Sequence, residues 1–283
     1  MKKLLLTSAL SLVFCFVFAQ NSLLWKISGN GLEEPSYLFG TIHLICPDDF
    51  FLPENVKTSL NSCDKLVLEV DMSDPTLMQK MQAGMLNINM KNIKTDLEEA
   101  DIKLLNETLT KSMGVGVDQL GILKPWALST MISVKLCLEC QQPAQYEAEI
   151  MKMAKEKELP LVGLETVEDQ LGIFDNIPYD RQLELLMEGV KDLEKNKELF
   201  ANIVKFYTAQ DVEGLYEMML EQDEMKDFGE FLLDARNERW IPVMDKLMSN
   251  EPCFIAVGAG HLGGDKGVIK LLKEKGYQVE AVK

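Results

Sequence analysis

Histidine is scarce in this sequence: His43 and His261 are the only two among 283 residues. Chemistry that needs an imidazole, as a metal ligand or as a group that exchanges a proton near neutral pH, therefore has to use one or both of them. The scarcity also makes the sequence around each histidine informative, since few histidines are available to coincide with a pattern by chance.

Basic charge is also in short supply. The chain has 29 Lys and Arg residues against 45 Asp and Glu residues, for a formal net charge of −16. A surface of that sign repels nucleic acid and anionic lipid. We therefore expect neither of them as a partner and expect a peptide or a small molecule as the substrate.

Long apolar runs are absent except for one at the start, over residues 4–18. Two lysines precede this run and a small residue follows it, which is typical of a signal peptide. The pattern predicts a signal peptide over residues 1–19 with cleavage between Ala19 and Gln20. The mature protein is then expected in the periplasm or outside the cell.

Two other interpretations of this run are weaker. A membrane anchor would need ~20 apolar residues, and this run is shorter. Lipidation at Cys15 would need a small residue before it, where Phe14 stands. We expect residues 20–283 to form one domain without a stable membrane span, with a helical insertion over about 75–250.

Cysteine is sparse too, with five residues left after cleavage: Cys46, Cys63, Cys137, Cys140 and Cys253. Cys137 and Cys140 have the spacing of a redox motif or of half a zinc site, but no second pair exists. A structural role for them, reduced or bridged, is favoured. An exported protein can form disulfides, and the odd number leaves at least one thiol free or paired between chains.

The two ends of the chain have an α/β pattern and the middle is helical. Apolar segments rich in β-branched residues predict strands at 36–44, 65–70, 159–164, 253–257 and 277–282. Apolar periodicity predicts helices at 55–62, 75–90, 101–113, 124–140, 146–157, 165–174, 179–207, 211–219, 228–248 and 266–275. This order favours an α/β (α+β) fold, with a central mixed β-sheet built from the N- and C-terminal parts.

Methionines are frequent in the predicted helix at 75–90, where Met78, Met81, Met85 and Met90 occur. We expect them to fill gaps in the core, as methionines commonly do. Lining a ligand groove is the alternative.

Both histidines end the same short motif. Gly40 precedes His43 by three residues, and Gly258 precedes His261 by three residues. Glycine occupies only 18 of 283 positions, so this coincidence at every histidine is unlikely to be random. In each case an apolar strand comes first, which predicts two matching strand-to-loop units with their histidines at the strand ends, where α/β sheets place their sites.

Two carboxylates and one basic residue complete the candidate site. Glu69 and Glu165 each close an apolar strand, where a carboxylate is costly unless it is paired, bound to a metal or used in catalysis. A solvated strand end and a helix N-terminus are the structural alternatives for them. Arg236 and Asn237 lie on a predicted helix and are suited to hold a substrate or a developing negative charge, unless they lie on a solvated helix face.

These residues fall within five motifs that together resemble the TraB/GumN family. The motifs are FGTIHL, VGAGHLGG, KPW at 124–126, GLET at 163–166 and RNERW at 236–240. The resemblance covers about residues 24–282, and it extends to the Tiki proteins and, more distantly, to erythromycin esterase and ChaN-like proteins. One departure is Gly263, which stands where relatives often have proline.

The resemblance implies a bacterial, metal-dependent hydrolase of the metallopeptidase type. By that comparison His43, His261 and a glutamate, Glu69 or Glu165, would bind Mn, Co or Zn, and the other glutamate would move a proton. Arg236 and Asn237 would position the substrate. Two other hypotheses remain: an envelope protein that binds haem, iron or a peptide without turnover, and an export factor whose site has lost its activity.

Overall fold

The structure is a computed structural model that describes residues 21–138 and 140–283. The predicted signal peptide lies outside these described residues. Within them, no helix is both long enough and apolar enough to cross a membrane.

Six strands form one mixed sheet in the order β4-β3-β5-β2-β1-β6. The strands are β1 Leu24–Ser28, β2 Ser36–Thr41, β3 Lys65–Val70, β4 Leu161–Glu165, β5 Cys253–Gly258 and β6 Gln278–Ala281. The four strands from β4 to β2 are mutually parallel, whereas β1 is antiparallel to both of its neighbours. The carboxyl ends of four strands therefore meet at one edge of the sheet.

Helices make up most of the remaining chain, and nearly all of them come from its middle. They are α1 Glu54–Asn61, α2 Leu77–Met85, α3 Glu99–Met113, α4 Val117–Leu120, α5 Pro125–Cys137, α6 Tyr146–Glu156, α7 Val167–Phe174, α8 Tyr179–Lys191, α9 Leu193–Thr208, α10 Val212–Leu220, α11 Asp223–Gly229, α12 Ala235–Met248 and α13 Val268–Glu274. A π-helical segment, Glu230–Asp234, joins α11 to α12, and a 3₁₀ turn, Ala259–His261, follows β5.

The predicted fold class is confirmed, since a six-stranded mixed sheet is combined with a largely helical middle. One strand, β4, comes from that middle and not from either end of the chain. The strand Leu24–Ser28 was not predicted. It pairs with β2, which follows it directly in the chain, and with β6 at the opposite end of the chain. Long-range pairing of this kind leaves little local signal.

Several predicted helix boundaries were wrong. The predicted helix at 179–207 is two helices separated at Asp192, whose backbone is not helical and whose side chain accepts from the Lys195 amide of α9 at 3.2 Å. The predicted helix at 165–174 begins only at Val167, because Thr166 is its N-cap. Glu165 therefore belongs to the strand before it and not to the helix.

The main core lies on both faces of the sheet and takes in the fully buried Trp240, Tyr146, Tyr207, Phe39 and Phe254. The expectation that the methionines of the predicted helix at 75–90 fill the core holds only in part. Met81 and Met85 pack against a smaller core cluster. Met78 and Met90 are instead more than 60% exposed, so their apolar side chains face solvent.

One disulfide crosses the structure, between Cys46 and Cys140. Cys137 and Cys140 do not act as a pair, since Cys140 bonds to a cysteine 94 residues away, and this agrees with the structural role expected for them. Cys63, Cys137 and Cys253 are free and buried. This agrees with the expectation that an odd thiol remains.

Candidate functional site

The two Gly-x-x-His motifs lie side by side. Strands β2 and β5 are parallel neighbours, and Thr41 of the first motif pairs in register with Gly258 of the second. Both histidines therefore leave the sheet at the same edge. The sequence repeat corresponds to two adjacent strand-to-loop units.

Crowding favours glycine in the first motif. A Cβ at Gly40 would lie 3.0 Å from a Leu262 side-chain carbon and 3.2 Å from the Ala259 Cα, so only glycine lets the turn Ala259–His261 rest on β2. A Cβ at Gly258 would lie 3.4 Å from Glu69 Oε1. That is an ordinary contact distance, so packing does not require glycine there. The Gly258 backbone amide donates to the same oxygen at 2.8 Å.

Glu69 and Glu165 sit at the ends of the neighbouring strands β3 and β4, and both side chains are buried. Arg236, from the first turn of α12, joins them. Its Nη2 donates to Glu69 Oε2 at 2.6 Å and to Glu165 Oε1 at 2.6 Å, while its Nε donates to Glu165 Oε1 at 3.0 Å. Two carboxylates thus face one guanidinium, which leaves the group formally negative.

His261 completes this group from the other side. Its Nε2 lies 3.0 Å from Arg236 Nη1, and its Nδ1 lies 2.7 Å from Asn237 Oδ1. The Asn237 amide nitrogen donates to the Lys266 carbonyl at 2.8 Å, so its oxygen must face the imidazole. His261 therefore carries its proton on Nδ1 and accepts from Arg236 at Nε2.

We call Glu69, Glu165, Gln170, Arg236, Asn237 and His261 the polar cluster. Gln170 of α7 donates to Glu69 Oε2 at 2.8 Å and to Glu165 Oε1 at 3.3 Å. Trp240 closes one wall: its indole nitrogen donates to Glu165 Oε2 at 3.2 Å, and its ring lies 4.5 Å from the His261 ring. These contacts give each buried charge a partner, as a dry environment demands.

Burial sets the protonation of the cluster. It lowers the pKa of His261 to about 3, because a charged imidazole would have to give up its water. Burial favours a raised pKa for Glu69, but its neighbours His261 and Arg236, with the Gly258 amide 2.8 Å from Oε1, hold that pKa at about 2. At neutral pH the cluster therefore holds a neutral imidazole and an ionised Glu69.

His43 lies outside this cluster, and its side chain is 71% exposed. Its Nδ1 lies 3.0 Å from Glu147 Oε1, and this hydrogen bond raises the pKa of His43 to about 9. The charge of His43 also lowers the pKa of Glu69, so the two histidines belong to one electrostatic environment. The second histidine is thus buried and neutral, and the first is accessible and cationic.

A metal ion is implied by the resemblance, and the donor types match one. Imidazole nitrogens and carboxylate oxygens are the ligands that Zn, Co and Mn take in proteins. In this structure, however, Arg236 bonds both to His261 Nε2 and to Glu69. Among the described residues, no group of three or more His, Cys, Asp and Glu is arranged to hold a metal. A metal on these donors requires Arg236 to release them.

A comparison with known families identifies the family of this chain. The model of the TraB/PrgY/gumN family matches residues 23–281, which is nearly the whole described chain. The chain belongs to the TraB/PrgY/gumN family. The resemblance noted in the motifs is confirmed.

Relatives of this TraB/PrgY/gumN protein fall into two groups. It is 23% identical to the zebrafish protein named Metalloprotease TIKI2 over 92% of its own length, and 24% identical to Metalloprotease TIKI1 of Xenopus tropicalis over 92%. These matches span 61% of each Tiki protein, so the chain corresponds to less than two thirds of them. It is also 22% identical to the Escherichia coli protein named Uncharacterized protein YbaP, over 84% of this chain and 87% of that one.

No solved structure matches the TraB/PrgY/gumN chain. Its likeness to erythromycin esterase and ChaN-like proteins therefore stays a prediction. At this level of identity, the Tiki relatives support a peptidase-like family, and the activity of the chain itself is a matter for proposal.

The polar cluster brings together every site residue expected from the sequence except His43, which lies beside it. Sequence reasoning missed Gln170 and Glu147. Gln170 is five residues after Glu165, which places it on the first turns of α7, and a search of the helix after a strand-end acid would have found it. Glu147 carries no such local signal, because its partners are more than 100 residues away.

A groove lies in the helical middle of this TraB/PrgY/gumN protein, and no residue of the polar cluster lines it. It has a volume of about 850 Å³, and its walls include Trp126, Phe174, Ile203, Met219 and Leu232. Met219 lies against Gly260, where an added Cβ would be 2.9 Å from its sulfur, and the Leu232 carbonyl accepts from Arg236 Nη1 at 3.3 Å. Two residues of the groove wall therefore contact Gly260, next to His261, and Arg236.

Proposed function

We propose that this protein is an exported, divalent-metal-dependent hydrolase of the peptidase type. The observation that carries the proposal is the convergence of two histidines, two buried carboxylates and an arginine at one sheet edge. Membership of a family that includes proteins named metalloproteases supports it.

In this proposal His43, His261 and Glu69 are the ligands of Mn, Co or Zn. Such an ion, when bound, polarises a carbonyl and makes its bound water more acidic. Glu165 acts as general base or acid, since its strand-end carboxylate is buried beside the ligands. Arg236, once free of Glu69, neutralises charge on the substrate.

Asn237 is assigned a role other than substrate binding. Both polar atoms of its side-chain amide already have partners, since the nitrogen donates to the Lys266 carbonyl and the oxygen accepts from His261 Nδ1. It therefore orients the imidazole and fixes its tautomer, as partners of metal-bound histidines do.

The groove suits an extended peptide. Its apolar side chains are suited to bind apolar residues of a substrate, and Leu232 in its wall contacts Arg236 of the polar cluster. Export is supported by the disulfide between Cys46 and Cys140, because such bonds persist in oxidising compartments.

The test is peptide hydrolysis by the purified protein, with and without added Mn, Co or Zn, alongside measurement of bound metal. We expect cleavage that depends on metal and stops with a chelator. Glu165→Gln should lower kcat by about 100-fold or more, because a proton-transfer group is lost. Glu168→Gln, an exposed glutamate three residues away, is the matched control and should leave the rate unchanged.

Equal metal content in the wild type and in a His43→Ala, His261→Ala double variant would count against this proposal. Peptide binding in the groove without cleavage under any metal condition would instead favour the second candidate, a peptide-binding protein. The groove beside the cluster is the observation that keeps that candidate open.

A further inference from the structure

Two residues of the first motif bind the same carboxylate. Glu147 Oε1 accepts from Thr41 Oγ1 at 2.7 Å and lies 3.0 Å from His43 Nδ1. Glu147 is in the first turn of α6, and its side chain is only 16% exposed. The helix dipole stabilises a carboxylate at this position, and its oxygen accepts the hydrogen bonds from Thr41 and His43.

The backbone on both sides of this contact is held firmly. Ile45, two residues after His43, exchanges backbone hydrogen bonds with Ala144, three residues before Glu147, at 3.1 and 2.8 Å. The Cys46–Cys140 disulfide joins the same two segments. The segment after His43 is thus joined to the segment before Glu147 at two consecutive residues, Ile45 and Cys46.

The side chain next to Glu147 anchors its helix. Tyr146 is fully buried, donates its hydroxyl to the Phe51 carbonyl at 2.6 Å, and packs against the Phe50 and Tyr207 rings. The start of α6 therefore cannot shift without breaking a core contact. A rigid backbone on both sides is what a residue needs in order to orient another.

The two histidines differ in their partners. His261 is held by the neutral amide of Asn237, and His43 is held by a carboxylate. A carboxylate on Nδ1 fixes a proton there and makes the other nitrogen, Nε2, the more basic one. Among the described residues, Nε2 of His43 has no hydrogen-bond partner, and the ring is open to solvent.

We propose that Glu147 is a positioning residue: it holds His43 by Nδ1 and so presents Nε2 at the edge of the polar cluster. This proposal rests on the hydrolase function proposed above, to which it adds a residue. Thr41 assists by donating to the same carboxylate oxygen, so the first motif contributes a holding residue as well as the histidine.

The direct test is the state of the His43 ring, observed by nitrogen-15 NMR of labelled protein. With two histidines in the chain, one His43→Gln variant assigns both signals. At a pH high enough for the ring to be neutral, the wild-type proton should lie on Nδ1, against Glu147, and leave Nε2 without one. In Glu147→Gln the weaker hydrogen bond to a neutral amide should shift the ring nitrogen signals, and in Glu147→Ala the proton should no longer favour Nδ1.

Kinetics provide the second readout. Glu147→Gln should lower kcat by about 10- to 100-fold with little change in KM, as losses of such partners do. Glu149→Ala, an exposed glutamate on the same helix, should change neither the NMR signal nor the rate. Thermal unfolding of each variant shows whether the fold is kept, and the glutamine variant, which keeps the side chain's size, serves if the alanine variant fails to fold.

An unchanged His43 signal in Glu147→Gln overturns the positioning role, and so does a changed signal with an unchanged kcat. A changed signal in a protein that hydrolyses no peptide at all supports the holding of His43 and overturns the hydrolase instead. The two failures are therefore separate.

Discussion

The two histidines are chemically unlike because their surroundings are unlike. His261 is 4% exposed, and its ring nitrogens bond to an amide and a guanidinium. His43 is open to solvent and paired with Glu147. Burial without a carboxylate favours the neutral imidazole, and a carboxylate favours the cation. One motif therefore yields two opposite protonation states.

Stability should respond to pH at each histidine in opposite directions. The folded pKa of His261, about 3, lies below its usual 6.5, so its contribution is complete above pH 6.5 and is lost as the pH falls toward 3. Denaturant unfolding from about pH 3 to 7 should show this loss, on the order of a few kcal/mol. His261→Gln should remove the loss of unfolding free energy between pH 6.5 and 4.5, a range that lies above the titration of Glu69.

His43 serves as the internal control for that experiment. Its pKa is raised to about 9, so its contribution is complete below pH 6.5 and is lost as the pH rises toward 9. The loss should be small, because an exposed pair is screened by water. His43→Gln should flatten the alkaline side alone, and an identical acid limb in His261→Gln and wild type would contradict the assignment.

Among the elements, the π-helical segment Glu230–Asp234 has the most evident consequence for the site. It directly precedes Arg236 on α12, and the Leu232 carbonyl within it accepts from Arg236 Nη1. Wide helical turns of this kind are rare and occur often at functional sites, because they shift the side chains that follow. Here Arg236 follows the segment by two residues, and its guanidinium bridges the carboxylates of Glu69 and Glu165 at the ends of β3 and β4.

The close contact of strand β2 with the turn Ala259–His261 can be tested at Gly40. An alanine there would crowd Leu262 and the Ala259 backbone, at 3.0 and 3.2 Å. We expect Gly40→Ala to lower the free energy of unfolding by about 1–3 kcal/mol, as overpacking does. Chemical denaturation measures this directly.

Gly172 is the matched control for Gly40. It lies inside α7 with no atom within 4 Å of an added Cβ, so Gly172→Ala should leave stability unchanged or raise it by up to about 1 kcal/mol. Equal effects of the two substitutions would mean that the contact between β2 and the turn does not limit stability.

Over the whole molecule, the Cys46–Cys140 disulfide ties the loop after β2 to the end of α5. The segment that it closes contains β3, the helices α1 to α5 and Trp126 of the groove wall. A link across 94 residues restricts the unfolded chain strongly. It also holds the helical middle of the chain against the sheet edge where His43 lies.

Removal of this bond should therefore cost stability. A Cys46→Ala, Cys140→Ala double variant should unfold more easily by about 2–4 kcal/mol, and reduction of the wild type should have a similar effect. Denaturant unfolding with and without a reductant measures both. The double variant should not respond to the reductant, and a response of equal size would show that another thiol, such as Cys137, is the sensitive one.

Local pattern was enough to find most of the site. An apolar strand that ends in glycine or in an acid leaves a clear signal, which is why Gly40, Gly258, Glu69 and Glu165 could be named from the sequence. Strands β2, β3 and β5 were found for the same reason. Helix ends were predicted less well, because caps such as Thr166 and Asp192 act through backbone geometry that periodicity does not report.

The sequence alone determined the family and the residues of the candidate site, which are two histidines, two strand-end glutamates and an arginine. Only the tertiary structure decided how they are paired. The bonds from Glu147 to His43, from Gln170 to Glu69 and from Cys46 to Cys140 each span roughly 100 residues. Such contacts form when the sheet brings distant strands to one edge, and no local pattern encodes which side chains then meet.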